Sequence, residues 1–427
     1  MLPRECPLAF GATILVLWAC AAPDATAREP TPAQVRLHEL SVPAAPGSLG
    51  PNLAATSHGV FLSWLEPAEQ GETGSERHAL RVAHLDPRRP LAWGAPVSVT
   101  EGEGFFANWA DFPALAEIPG GGLLVHWLER TGEDTYAYGV RLARSLDRGQ
   151  SWEPLGFLHD DLSPTEHGFV SFAPMAEGVR AFWLDGRDMA AGGPMALRTV
   201  LVAGSAAAFD ERGQGPPSST VLDGRVCECC QTDAAVATRG PVVVYRGRSD
   251  DEVRDIWIVR AVGDGWSPPQ RVSEDGWRIP GCPVNGPAVA AAEDRVVVAW
   301  FTGANDQPAV KTALSTDGGA TFGPALELDA EAPIGRVDVA VTDNGAAWVT
   351  WLARTPEGAA VRLAALRLGE SDRPTQAGPP ATLASTGGAR SSGFPRILAL
   401  DLGRLLVTWV DTANGQRVRA AWVELAD

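Results

Sequence analysis

Three thiols fall within four residues of the stretch GRVCECCQTDAAV, which runs from Gly224 to Val236: Cys227, Cys229 and Cys230. A fourth, Cys282, sits in RIPGCPVNGP, Arg278 to Pro287. Clustered cysteines close disulfides, bind soft metal ions as thiolates, or act as a redox pair. One reading pairs Cys282 with one of the other three. A second is a thiolate metal site for copper(I) or zinc, completed by His167 of PTEHGF, although C-x-C-C is not a zinc-finger spacing. A third is a redox pair, for which a vicinal Cys229–Cys230 bridge would be a strained ring.

Charged residues crowd the same part of the chain. The run YRGRSDDEVRDIW, Tyr245 to Trp257, holds Arg246, Arg248, Asp250 and Arg254, and SEDGWRIPGCPVNGP adds Arg278 and Asn285. Arg336 and Arg396 recur further on. A guanidinium grips a carboxylate or another planar anion through two parallel hydrogen bonds. These residues are therefore candidates for a clamp on a glycan or a small anionic ligand. The competing reading is a solvated loop with internal ion pairs.

Composition limits the partners. The 427 residues carry a net charge of −17, and Lys311 is the only lysine. So acidic a surface argues against nucleic acid. The N-terminus begins MLPREC and continues with the apolar run PLAFGATILVLWACAA, which is short for a bilayer span and reads as an export signal. Two processing sites compete. Leu17-Trp18-Ala19-Cys20 resembles a lipobox, giving a signal over 1–19 and a lipid-anchored Cys20. Ala25-Thr26-Ala27 reads as an ordinary cleavage site, giving a signal peptide over 1–27, with residues 28–34 as a linker. Either way the chain is expected outside the cytoplasm: periplasmic, outer-membrane-anchored or secreted. No later apolar run suits a transmembrane span.

The elements that position these residues come from a repeat. GVFLSWLE, GLLVHWLE, VRAFWLD, PVVVYRG, RVVVAWFT, AAWVTWLA and RLLVTWVD each form an apolar, β-branched segment carrying an aromatic: Trp64, Trp127, Trp183, Tyr245, Trp300, Trp351 and Trp409. Successive aromatics are 51 to 63 residues apart. Such runs, bounded by Gly, Pro, Asp and Asn, predict strands, and no sustained helical period appears. Seven units of about four strands predict an all-β propeller of four-stranded antiparallel blades over 35–427, with six blades plus an insertion as the alternative. The last unit stops after three strands. VRLHELSV, Val35 to Val42, is expected to supply the fourth and close the ring.

Two strings match S-x-D-x-G-x-x-[W/F]: SLDRGQSW, with Ser145, Asp147, Gly149 and Trp152, and STDGGATF, with Ser315, Asp317, Gly319 and Phe322. They follow their strand aromatics at comparable offsets, and they resemble the Asp-box (BNR) repeats of the sialidase superfamily, including bacterial exported sialidase-like proteins. The resemblance covers roughly 35–427. It implies that these Asp residues are structural and lie on the face opposite the binding site. It also implies an arginine clamp for a carboxylate, an Asp acid/base, and a late Tyr nucleophile activated by Glu. The last is missing: the tyrosines are Tyr136, Tyr138 and Tyr245, and Tyr245 occupies a packing position. The expected function is therefore a binding propeller that holds a glycan, a metal or a partner on the face bearing the cysteine loops. The alternative is a glycoside hydrolase of exo-α-sialidase type.

Overall fold

The computed structural model describes residues 35–69, 76–89, 91–203, 219–342, 345–400 and 403–425. The proposed signal segment, Cys20 and the linker lie outside them. The described chain builds seven antiparallel sheets arranged as blades. The six-blade alternative is thereby excluded: each of the seven aromatic-bearing segments is the second strand of its own sheet.

Blade 4 shows why those segments read as they do. Its second strand, Gly240–Arg246, is buried along almost its whole length. It lies between a first strand, Asp233–Ala237, and a third, Ile256–Val262, and packs against blades on either side. A strand covered on both faces carries a continuous apolar run rather than an alternating one. Outer strands are less covered, and Val97–Gly102 of blade 1 is only partly buried. The apolar clusters accordingly sit between blades; one joins Val297 and Val310 of blade 5 to Val349 and Trp351 of blade 6. The ring closes as expected. Val35–Leu40 pairs antiparallel with Arg417–Leu425 and becomes the outermost strand of blade 7. No helix among the described residues is long and apolar enough to cross a membrane.

The strand aromatics are tied as well as buried. Trp64, Trp183, Trp300 and Trp351 donate their indole N–H to Glu66, Asp185, Asp275 and Asp329 at 2.6–3.0 Å. Tyr245, also fully buried, donates its hydroxyl to Asp223 at 2.6 Å. A polar tip on a buried aromatic needs such a partner. Tyr245 therefore does the work of a blade tryptophan.

Strand order separates two faces. Each blade enters its first strand at one face, where the loop between second and third strands also lies. The loop between third and fourth strands lies on the other. There, both S-x-D-x-G strings make the same turn. Asp147 Oδ1 accepts the Ser151 N–H at 2.9 Å, and Asp317 Oδ1 accepts that of Thr321 at 2.8 Å. Gly149 and Gly319 take φ of 81° and 84°, which suits glycine. Trp152 and Phe322 pack against the core below.

Candidate functional site

The cysteine loop enters blade 4, the Cys282 loop enters blade 5, and PTEHGF leads into the first strand of blade 3, His167–Met175. All three open on the face away from the S-x-D-x-G turns. Between them lies a cavity of about 700 Å³. Its wall includes Phe106, Trp109, Tyr136 and Tyr138, the acids Glu166 and Glu228, and the guanidiniums of Arg248, Arg254 and Arg390, together with Cys229 and Cys282.

The residues after the cysteines fix the loop. Gln231, Thr232 and Asp233 between them tie the loop to blades 2, 3 and 5. Gln231 donates to the Ala110 carbonyl at 2.6 Å and accepts the Gly286 N–H at 3.0 Å, reaching the entry loops of blades 2 and 5. Thr232 donates to the Phe169 carbonyl of blade 3 at 2.7 Å, and Asp233 accepts the Val289 N–H of blade 5 at 2.8 Å. Gly286 has no room for a side chain, because a Cβ there would run into the backbone of Gln231. The cysteines thus sit on a loop clamped by three neighbours.

The thiols converge. Cys227 Sγ lies 3.1 Å from Cys230 Sγ and 3.9 Å from Cys229 Sγ. Cys227 and Cys230 are buried, Cys229 is half-buried, and Cys282 is exposed with its thiol against that of Cys229. Arg254, 3% exposed, donates to Cys227 Sγ at 3.1 Å, to Glu228 at 3.0 Å and to Glu252 at 2.9 Å. Burial works against a Cys227 thiolate. The Cys229 and Cys230 donors and the Arg254 charge outweigh it and hold the Cys227 thiol well below its ordinary range. Burial pushes Cys230 the other way. Arg248 pairs with Glu228 and, at 2.6 Å, with Glu252.

The other nominated residues have different duties. His167 is turned away from the sulfurs. Its Nε2 lies 3.0 Å from Asp161 Oδ2 and its ring stacks on His159 at 4.1 Å. Arg246, 2% exposed, donates to the backbone carbonyls of Asn285, Arg254 and Phe301. Arg336 donates to the carbonyls of Ala389, Arg390 and Gly393 and stacks under Trp109 at 4.5 Å. Arg396 pairs with Asp338 at 3.4 Å. Asn285 accepts the Arg336 N–H and donates to the Ile334 carbonyl. Asp250 is exposed and pairs with Arg225, and Arg278 is exposed. Of the arginines named from sequence, the structure brings Arg248 and Arg254 to the cavity. Arg246 and Arg336 act as cross-braces, because a buried guanidinium with five donors can satisfy several orphan carbonyls at once, Arg396 is held by Asp338, and Arg278 stays at the surface.

Sequence reasoning missed one pair. Tyr138 opens the third strand of blade 2, Tyr138–Ser145, stacked on Phe106 at 4.0 Å, and its hydroxyl donates to Glu166 Oε1 at 2.5 Å. Burial, with the Cys227 charge nearby, pushes the Glu166 carboxyl up to about 7. Burial pushes Tyr138 well above the usual phenol range. The available signal was positional: both residues belong to loops of the cysteine-bearing face in adjacent blades. Nearby, Asp111 accepts the Phe169 N–H at 2.5 Å, and burial raises its carboxyl to about 7. That bond stabilises a bulge in which Phe169 takes a φ of 53° and faces the cavity.

No family model matches the chain, and no curated protein does. Solved structures do. A protein of unknown function from Dyadobacter fermentans is 15% identical, with 92% of this chain and 99% of that one covered and a TM-score of 0.51. The polysaccharide lyase Uly1 is 10% identical over 91% of this chain and 92% of its own, with a TM-score of 0.50. The α-L-arabinofuranosidase Arb93A of Fusarium graminearum is 13% identical over 91% and 97%, with a TM-score of 0.49. At these identities the likeness is one of fold.

Proposed function

We propose that this chain is an exported propeller that binds a saccharide in the cavity of its cysteine-bearing face. One observation carries the reading. A single cavity of about 700 Å³ combines the aromatic rings of Phe106, Trp109 and Tyr136 with acids and guanidiniums. Aromatic faces stack on the apolar face of a sugar ring, and charged groups at fixed positions bond its hydroxyls. Uly1, a polysaccharide lyase, has the same fold, and a saccharide ligand is compatible with it. Because Arg246, Arg336 and Arg396 are engaged elsewhere, the ligand needs no carboxylate.

The test is binding of the full chain to a panel of neutral and acidic oligosaccharides, with Trp109→Ala as control. The expected result is saturable binding that weakens about two- to tenfold in the variant, since one stacking contact is worth about 0.5–1.5 kcal/mol. Absence of binding across the panel, or equal binding by the variant, overturns the proposal.

The Tyr138–Glu166 bond favours a second reading, glycoside hydrolysis. Glu166, raised to about 7, is placed to take the Tyr138 proton as the phenol oxygen bonds to an anomeric carbon and the glycosidic bond breaks, an aryl aglycone leaving as its phenolate; water then cleaves the glycosyl–tyrosine bond, releasing the sugar and returning a proton to Tyr138. Turnover of aryl glycosides, lost in Tyr138→Phe and Glu166→Gln while binding persists, is the expected signature. Binding without turnover removes this reading and leaves the first.

A further inference from the structure

We infer that Cys227, Cys229 and Cys230 form a three-thiolate site for a soft d10 cation, copper(I) or zinc(II), with Cys282 beside its cavity side. The site adjoins the saccharide cavity, whose wall includes Cys229, Arg254 and Cys282, but the inference is argued from the sulfurs and does not depend on a saccharide being bound.

The geometry is close to what a metal requires. A metal–sulfur bond of about 2.3 Å sets sulfur–sulfur distances of about 3.8 Å in a tetrahedral site and about 4.0 Å in a trigonal one. The three sulfurs already lie within 4.8 Å of one another, two of the separations being 3.1 and 3.9 Å. Little movement is needed to seat an ion among them. The loop is held for this by Gln231, Thr232 and Asp233, and by the Cys227 N–H, which donates to the Arg246 carbonyl at 2.9 Å. Stiff support of this kind is what holds metal ligands in place.

The charges also suit. Bound as thiolates, the three cysteines leave a net −1 around zinc(II) or −2 around copper(I). Arg254, shared with Glu228 and Glu252, already donates to Cys227 Sγ at 3.1 Å and stabilises negative charge there. Thiolates select copper(I) and zinc over hard cations. Cys282, exposed and against Cys229, is placed either to deliver the ion or to complete a fourth position. His167, committed to Asp161 and His159, is not among the ligands.

The experiment uses the full chain, reduced and handled without oxygen, titrated separately with zinc(II) and with copper(I) against a competing chelator. Elemental analysis gives the stoichiometry. Cobalt(II) in place of zinc reports sulfur ligation through its charge-transfer absorption. One ion per chain with sulfur ligation supports the site. Cys229→Ser, the half-buried position, should weaken binding at least about 100-fold, more than the 10–100-fold that loss of a supporting group costs. Cys230→Ser is the second variant. Failure of both ions to bind the reduced protein overturns the inference. A disulfide among Cys227, Cys229 and Cys230 in protein isolated from an exporting cell overturns it too. Neither result bears on saccharide binding.

Discussion

Replacing Gln231 with Met removes two hydrogen bonds and changes the side-chain volume little. Gln231 is 4% exposed, and its amide joins the Ala110 carbonyl at 2.6 Å to the Gly286 N–H at 3.0 Å. Methionine leaves that carbonyl and that N–H facing an apolar chain. Each orphaned buried group costs about 1–3 kcal/mol, so the expected loss is about 4 kcal/mol. The loss should appear as a lower midpoint in urea with an unchanged slope, followed by tryptophan fluorescence. It should also appear locally. The amide pins the residue after Cys230, and Cys230 is 1% exposed. The buried thiols, Cys227 and Cys230, should react with a small disulfide reagent at least about tenfold faster than in the native protein, the change that 1.4 kcal/mol of local destabilisation brings. A stability loss below about 1 kcal/mol with unchanged thiol rates would refute the idea that this residue clamps three blades around the cysteines.

Three further outcomes are expected. Tyr245→Phe should cost about 2 kcal/mol by depriving Asp223 of its buried donor, without altering ligand affinity; a change in affinity would assign Tyr245 to the site rather than to packing. Arg336→Met should destabilise the protein by about 3 kcal/mol, because the Ala389, Arg390 and Gly393 carbonyls lose their donor, yet leave the preference between acidic and neutral sugars unchanged; a lost preference for acidic sugars would make Arg336 a carboxylate clamp. Three buried carboxyls should make stability fall as pH rises from about 4 to about 7, against a smaller opposite contribution from His126 and His159, which burial lowers to about 3. Burial raises Glu166, Asp111 and Asp233 to about 7, so in this window the folded chain keeps protons that the unfolded chain releases. Asp111→Asn should flatten that fall in the urea midpoint, and a midpoint that climbs from pH 5 to pH 7 would contradict it.

The blades were legible because their signal is redundant. Seven apolar segments each carry an aromatic at one position, and burial on both faces demands that pattern in every unit. The closing strand was legible because blade 7 lacks one. The repeat register also showed that Cys227, Cys229, Cys230 and Cys282 share one face, since that depends only on which loop precedes a first strand. What the register does not contain is rotamer direction. Arg246 and Arg248 are two residues apart, yet one braces buried carbonyls and the other faces the cavity. His167 lies in the expected loop but turns to Asp161. The Tyr138–Glu166 bond was hidden for the opposite reason. Its residues are 28 apart in two units, and neither belongs to a motif that marks it.

The most direct measurement is a crystal structure of the full chain with the tightest-binding oligosaccharide from the panel. Saccharide density in the cavity, with a ring stacked on Trp109 or Tyr136 and hydroxyls bonded to Arg248, Arg254 or Glu166, is the predicted result. Density on the face of the S-x-D-x-G turns, or none despite saturating ligand, would contradict the assignment of this cavity as the binding site.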